Sequence, residues 1–274
     1  VIEGFCTGSG AKDRFVVAFS QIVHRNGREK IPPFEEGFWP TFNWENFTTN
    51  PIAVVGTLRG SERVIWQCQK RTHEFYYMDH AYFYATRDYM PGPYGQLYRV
   101  VKNQLQLNKL VELTNQDKKR IEKYKPITFN GWNFGTYILV CPPTKAVCRM
   151  YHTTEEKWLS DTLETLKKYT DREIRIRNKG DKTSLQEQLK NCWAMVTMQS
   201  TAAIEAVLSG VPVFCDEVSQ SNVVGENDLS KIERPYYPDK ELIDKWIDSL
   251  LSCQFTLEEI KNGVAYETVK RLQC

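Results

Sequence analysis

Residues 193–215 read WAMVTMQSTAAIEAVLSGVPVFC, and few folds accept that order. Trp193–Val196 reads as a buried strand, Thr197–Ser200 as a polar turn, 201–209 as a short helix of small residues, Gly210 as its stop, and Val211–Cys215 as another strand. In an α/β protein this arrangement leaves the turn and the helix's first N–H groups open at the carboxyl edge of a sheet, where ligands bind.

The same alternation runs through much of the chain. Phe15–Phe19 is a short apolar run behind the glycine-rich loop Thr7-Gly8-Ser9-Gly10-Ala11-Lys12. That loop is not a phosphate-binding Walker motif, because it lacks both the spacer and the Lys-Ser/Thr ending. Pro51–Gly56 predicts a strand, Leu58–Lys70 a helix and Glu74–Met78 a strand ending in Asp79-His80. Residues 31–50 read as a long aromatic loop, and Asn115–Tyr124 as a strongly basic helix. After Pro126–Gly135, taken as a linker, come strand Tyr137–Cys141, helix 155–169 capped by Thr154, strand Arg172–Arg177, helix Gln186–Cys192 and strand Ala194–Thr197. This spacing predicts parallel sheets covered on both faces. Ser219–Tyr237 reads as polar loop, and Pro238–Leu251 and Thr256–Leu272 as closing helices.

Composition narrows the function classes. Thirty-six Lys and Arg against 34 Asp and Glu leave a net charge of +2 in 274 residues, so no global attraction draws this chain to a polyanion. Eight cysteines form no C-x-x-C pair, and with four histidines no zinc spacing emerges, which predicts scattered core thiols in a reducing compartment. No segment is long and apolar enough to span a bilayer and no leader pattern opens the chain, so the expected location is cytoplasmic.

Candidate ligand-binding residues cluster around the opening stretch. Ser200 or Thr201 can cap the helix and offer hydroxyls and N–H groups to phosphate oxygens, while Glu205, one turn on, can accept from a ribose diol. A plain N-cap and a solvated glutamate account for the same residues. Arg175 and Arg177 share one side of their strand and Lys179 follows in the turn. Two arginines on a strand buried on both faces imply an exposed end, ordinary salt bridges or a bound anion such as a diphosphate.

REIRIRNKG followed by LKNCWAMVTMQSTAAIEAVLSGVPVF resembles the donor domain of glycosyltransferases of the GT-B architecture, in which two Rossmann-like α/β domains face each other across a cleft. EFYYMDHAYF and YGQLYRVVKNQLQ are similar to phage glycosyltransferase-like proteins implicated in modifying hydroxymethylated pyrimidines in DNA. The resemblance implies an acceptor-side domain at 1–130, a donor domain at 131–251, and a C-terminal helix at 252–274 returning to the N-terminal domain. It implies a nucleotide-diphosphate sugar as co-substrate, with no cofactor and no metal, and double-stranded DNA bearing hydroxymethylated bases as one acceptor. Ser200, Thr201, Arg175, Arg177 and Lys179 would hold the diphosphate and Glu205 the ribose, and the loop at Gly8 and Gly10 would approach the donor. The Glu-x7-Glu pair of many retaining members is absent around Glu205, and no Asp-x-Asp occurs. For deprotonating the acceptor, Asp79 and His80 are the first candidates and Asp13 a weaker one, although Asp79-His80 equally suits pinning the next loop. A non-catalytic nucleotide-binding protein and a sugar-nucleotide epimerase remain competing readings.

Overall fold

The structure, a computed structural model, describes residues 1–8, 10–27, 39, 42–85 and 92–272. Ser9, half of the expected loop 31–50 and residues 86–91 of the Tyr/Arg-rich segment lie outside the described residues. The chain forms two α/β units, Val1–Leu105 with Leu251–Cys274, and Gln106–Leu250.

The first unit is built on strands β1 (Glu3–Cys6), β2 (Ile22–Arg25), β3 (Ile52–Val55), β4 (Phe75–His80), β5 (Leu97–Lys102) and β10 (Gln254–Thr256), in the order β10-β5-β4-β3-β1-β2. The strands from β4 to β2 are parallel, and β5 runs antiparallel to both its neighbours. Every residue of β1 and β3 is buried, as a sheet covered on both faces requires. The Phe15–Phe19 run is the second half of helix α1 (Gly10–Phe19): Phe15, Val16 and Phe19 are buried while Val17 faces out. Five apolar residues are too few to separate helix from strand by period. Strand β1, absent from the sequence reading, hides behind Glu3 and Gly4. Glu3 is buried because Thr48 Oγ1, Asn50 Nδ2 and His24 Nε2 surround its carboxylate. Gly4 is required because a Cβ there would stand 2.4 Å from Ser20 Oγ and 2.7 Å from Val16 Cγ1. Helix α2 (Ser61–Lys70) covers β3.

The second unit carries a parallel sheet in the order β7-β6-β8-β9, from β6 (Tyr137–Cys141), β7 (Glu173–Ile176), β8 (Cys192–Thr197) and β9 (Val213–Phe214). Helices α4 (Lys145–Met150), α5 (Glu155–Tyr169), α6 (Leu185–Leu189) and α7 (Ala202–Leu208) make the connections. Thr154 caps α5 as expected, accepting from Lys157 N at 3.1 Å. Ile138, Val140, Leu166, Ala194, Val196 and Phe214 form this unit's core.

The division falls after Leu105 rather than at the expected 130/131. Segment 106–130, including α3 (Asn115–Ile121), is tied into the second unit by Asn108 Nδ2 donating to Glu217 O (2.9 Å), Val111 N to Ser249 Oγ (3.1 Å) and Lys125 Nζ pairing with Asp248 (2.8 Å). The C-terminal segment belongs to the first unit, where β10 pairs with β5. Its expected single helix is instead β10 followed by α9 (Leu257–Lys261) and α10 (Val264–Leu272), broken at Asn262-Gly263. Helix α8 (Lys240–Ser252) precedes it, and its Trp246 Nε1 donates to Gln220 O at 2.7 Å. The seven described cysteines are buried.

Gly210 ends α7 at φ 80°, and a Cβ on it would stand 2.0 Å from Gly131 O; Gly263 has φ 77° with nothing within 4 Å. Gly210→Ala is expected to cost about 2–4 kcal/mol, strain plus overpacking, and Gly263→Ala about 1–2, strain alone. Urea unfolding of the two variants checks this, and equal losses would contradict it.

Candidate functional site

Parallel strands deliver their last residues to one edge, so in the second unit Cys141, Ile176, Thr197 and Phe214 bring their following turns together. Thr197 Oγ1 donates to Cys141 O at 2.8 Å, and Asp216 N donates to Met198 O at 3.0 Å, locking adjacent turns. Behind the edge, Gln220 Nε2 donates to Ser200 O at 2.9 Å. Ser219, Gln220 and Ser221 are fully buried, although their polarity reads as open loop.

Ser200 is the cap, since its Oγ accepts from Ala202 N at 3.2 Å. Ala203 N donates to Ser200 O and Ile204 N to Thr201 O at 3.1 and 3.0 Å. The first N–H groups of α7, expected to be open, are therefore taken by the protein itself. What remains at the edge is hydroxyl: Ser200 keeps its O–H proton to donate, and exposed Thr201 makes no capping bond.

The basic residues separate. Arg177 N donates to Val140 O at 2.9 Å, and its Nη1 donates to Thr183 O (2.8 Å) and Gln188 Oε1, which fixes the guanidinium at the strand's end. Burial lifts the Glu205 carboxyl above its ordinary range, and the Arg177 charge pulls it back down, so the two share one electrostatic neighbourhood. Arg175 turns away: its Nε and Nη2 each meet Glu173 at 2.8 Å, and its guanidinium carbon lies 3.8 Å from the Tyr137 ring centroid. Strand β7 is a sheet edge with Glu173, Arg175 and Ile176 exposed, so ordinary exposure and a salt bridge account for Arg175. Lys179 is exposed in the turn closed by Asn178 and Asp181 and makes no ion pair among the described residues.

Three residues at this edge escaped the sequence reading. Tyr151 donates to Gln199 Oε1 at 3.3 Å, and burial, with Asp216 adding, pushes the phenol up to about 12. Burial, and after it the Glu217 charge, pushes the Asp216 carboxyl up to about 6. Asp216 lies two residues past the end of β9, so the carboxyl-edge rule that selected Ser200 would have selected it as well.

In the first unit, β1 and β4 end near the start of α1. Asp13 lies beneath the glycine loop, its Oδ1 accepting from Thr7 N (2.8 Å) and Thr7 Oγ1 (3.2 Å). Asp79 accepts from Tyr77 OH (3.0 Å), His80 N (2.9 Å) and Arg99 Nη2 (3.4 Å). Burial alone would raise this carboxyl, but Arg99, Lys12 and the His80 N–H outweigh it and hold it below the ordinary range. Such a carboxylate is firmly ionised and a weak proton acceptor. Arg99 also donates to His80 O, so Asp79-His80 pins the strand end. Gly8 and Gly10 sit at the mouth of a cavity of about 710 Å³ within this unit. Among the described residues, no group of three or more His, Cys, Asp or Glu side chains could hold a metal ion. No described helix is long and apolar enough to cross a membrane.

No family model and no curated protein matches this chain. Among solved structures it is similar to the beta Kdo 2,7 transferase of Thermosulfurimonas dismutans KpsC, with 12% identity, TM-score 0.50, and 98% of this chain and 99% of that one covered. The beta Kdo 2,4 transferase of the same KpsC gives 10% identity, TM-score 0.48, and 97% and 98% coverage. The fold is shared. Two α/β units, each with its own sheet, form the two-domain GT-B-like architecture the sequence predicts.

Asp216 supplies a pH test. The folded chain holds its proton more tightly than the unfolded chain does, so its stabilising contribution is complete below about pH 4 and is lost as pH rises through about 6. Relative to Asp216→Asn, the wild type should lose stability across that window in urea titrations. Parallel pH profiles for the two proteins would contradict the assignment.

Proposed function

We propose that this protein is a glycosyltransferase that binds a nucleotide-diphosphate sugar at the carboxyl edge of the second unit's sheet. The observation that carries the reading is the convergence there of Ser200, Thr201, Arg177 and Glu205 on an all-parallel sheet, in a two-unit fold shared with a solved sugar transferase. The Ser200 and Thr201 hydroxyls and the Arg177 guanidinium, with Lys179 from its turn, stabilise the negative charge that grows on the departing diphosphate. Glu205 accepts from the ribose diol. With cations and hydroxyls meeting the diphosphate, transfer is proposed to need no divalent metal.

The first unit supplies the acceptor side. Of its candidates His80 is the better proton acceptor, because Asp79 is held ionised by three donors and Asp13 is buried beneath Thr7. The acceptor is a hydroxyl compound. Hydroxymethylated pyrimidine DNA, suggested only by the resemblance of the N-terminal segments, is one member of the panel that tests this.

Purified protein is incubated in EDTA with labelled nucleotide sugars, with and without glycan acceptors and hydroxymethylcytosine or hydroxymethyluracil DNA. Acceptor-dependent release of nucleotide is expected. Conversion of donor without acceptor would indicate an epimerase, and binding without turnover an idle scaffold. Arg177→Ala should reduce turnover by about 10²-fold, the scale of losing one charge-stabilising group. Glu205→Gln should raise the donor KM with little change in the acceptor KM. Unaltered kinetics in both variants would remove this edge from the reaction.

A further inference from the structure

The cavity of about 710 Å³ in the first unit has a use that the transferase reading does not supply. Helix α1 buries Phe15, Val16 and Phe19 in the core, turns Arg14 and Val17 outward and leaves Ala18 half-buried at the core's margin. Helix α9 packs beside it, and Arg25, the last residue of β2, also lines the groove. Val17, Ala18 and Leu257 give the lining its apolar surface, and Arg14, Arg25 and Lys261, together with the Asp13 carboxylate, give it its charges.

The charges around this groove are arranged unusually. Arg14, Arg25 and Lys261 are exposed and none forms an ion pair among the described residues; the Arg14 guanidinium carbon rests 5.4 Å from the Phe15 ring centroid. The nearby carboxylates are engaged by other partners. Asp13 accepts from Thr7, Glu259 from Thr256 N (2.7 Å) and Oγ1 (3.0 Å), and Glu258 from Asn262 (3.0 Å). Three like charges around one concavity repel one another, and an anion between them would convert that repulsion into charge-assisted hydrogen bonds. The volume lies in the range of small-molecule sites, and an apolar surface among cationic side chains matches a sugar ring with an attached oxyanion.

We propose that this groove binds a saccharide carrying a phosphate or carboxylate group, gripped by Arg14, Arg25 and Lys261 with its ring face on Val17, Ala18 and Leu257. The site lies wholly in the first unit and does not rest on the transferase reading.

Lysine protection tests it on the full chain. Acetylation of Lys261 is followed by mass spectrometry at matched ionic strength with pyrophosphate, glucose 6-phosphate or hexagalacturonate, with exposed Lys109 as the reference. At least one probe should slow Lys261 modification about tenfold when held near ten times its Kd, leaving Lys109 unaffected. Arg25→Gln should abolish that protection while thermal unfolding stays unchanged. Protection by the phosphates identifies phosphate as the grip, and protection by hexagalacturonate alone identifies carboxylate. The proposal is overturned if Lys261 reacts at one rate with every probe, or if folded Arg25→Gln retains full protection. Loss of glycosyl transfer in the donor panel would leave this result untouched.

Discussion

Parallel pairing fixes where chemistry can occur in the second unit. Because β6, β7, β8 and β9 all run the same way, their exit turns gather at one edge, where the strand ladder has no further partners to offer. The chain secures that edge with short bonds between turns: Thr197 to Cys141, Asp216 to Met198, and Gln220 from a buried loop to Ser200. These bonds leave polar groups of several kinds anchored within one neighbourhood: hydroxyls at Ser200 and Thr201, a positioned guanidinium at Arg177, and carboxyls at Glu205 and Asp216. Burial raises both carboxyls, and the Arg177 charge draws Glu205 back.

The first unit solves a different electrostatic problem. Its edge holds a carboxylate, Asp79, beside two cations, Arg99 and Lys12, and the balance favours ionisation despite burial. Arg99 is itself buried, so removing Asp79 would leave an uncompensated charge in the interior. That makes the pair structural first, whatever passes over it. On the flank, by contrast, Arg14, Arg25 and Lys261 are exposed and form no ion pair among the described residues. A chain of nearly neutral net charge thus concentrates positive potential locally.

Much of the second unit was legible in the sequence because its local signals agree with its tertiary role. The strand 193–197, the small-residue helix and Gly210 appear in the order read, and Thr154 caps the helix it precedes. What was missed follows from competing physics. Arg175 and Arg177 look alike in an alternating strand, but Glu173, two residues back on the same side, claims Arg175. Strand β1 is obscured because its glutamate is buried by three hydrogen-bond partners distant in sequence. Segment 106–130 has linker-like composition at its end, yet its bonds to Glu217, Ser249 and Asp248 place it in the second unit. Ser219–Ser221 are polar and fully buried because Gln220 works inward, a role no period or propensity announces.

The account's central claim concerns where a sugar donor sits. A crystal structure of the protein soaked with the nucleotide sugar it turns over tests this most directly. The account predicts diphosphate density against the Ser200 and Thr201 hydroxyls with Arg177 in contact and the ribose on Glu205. Nucleotide density elsewhere, with these side chains undisturbed, would contradict it.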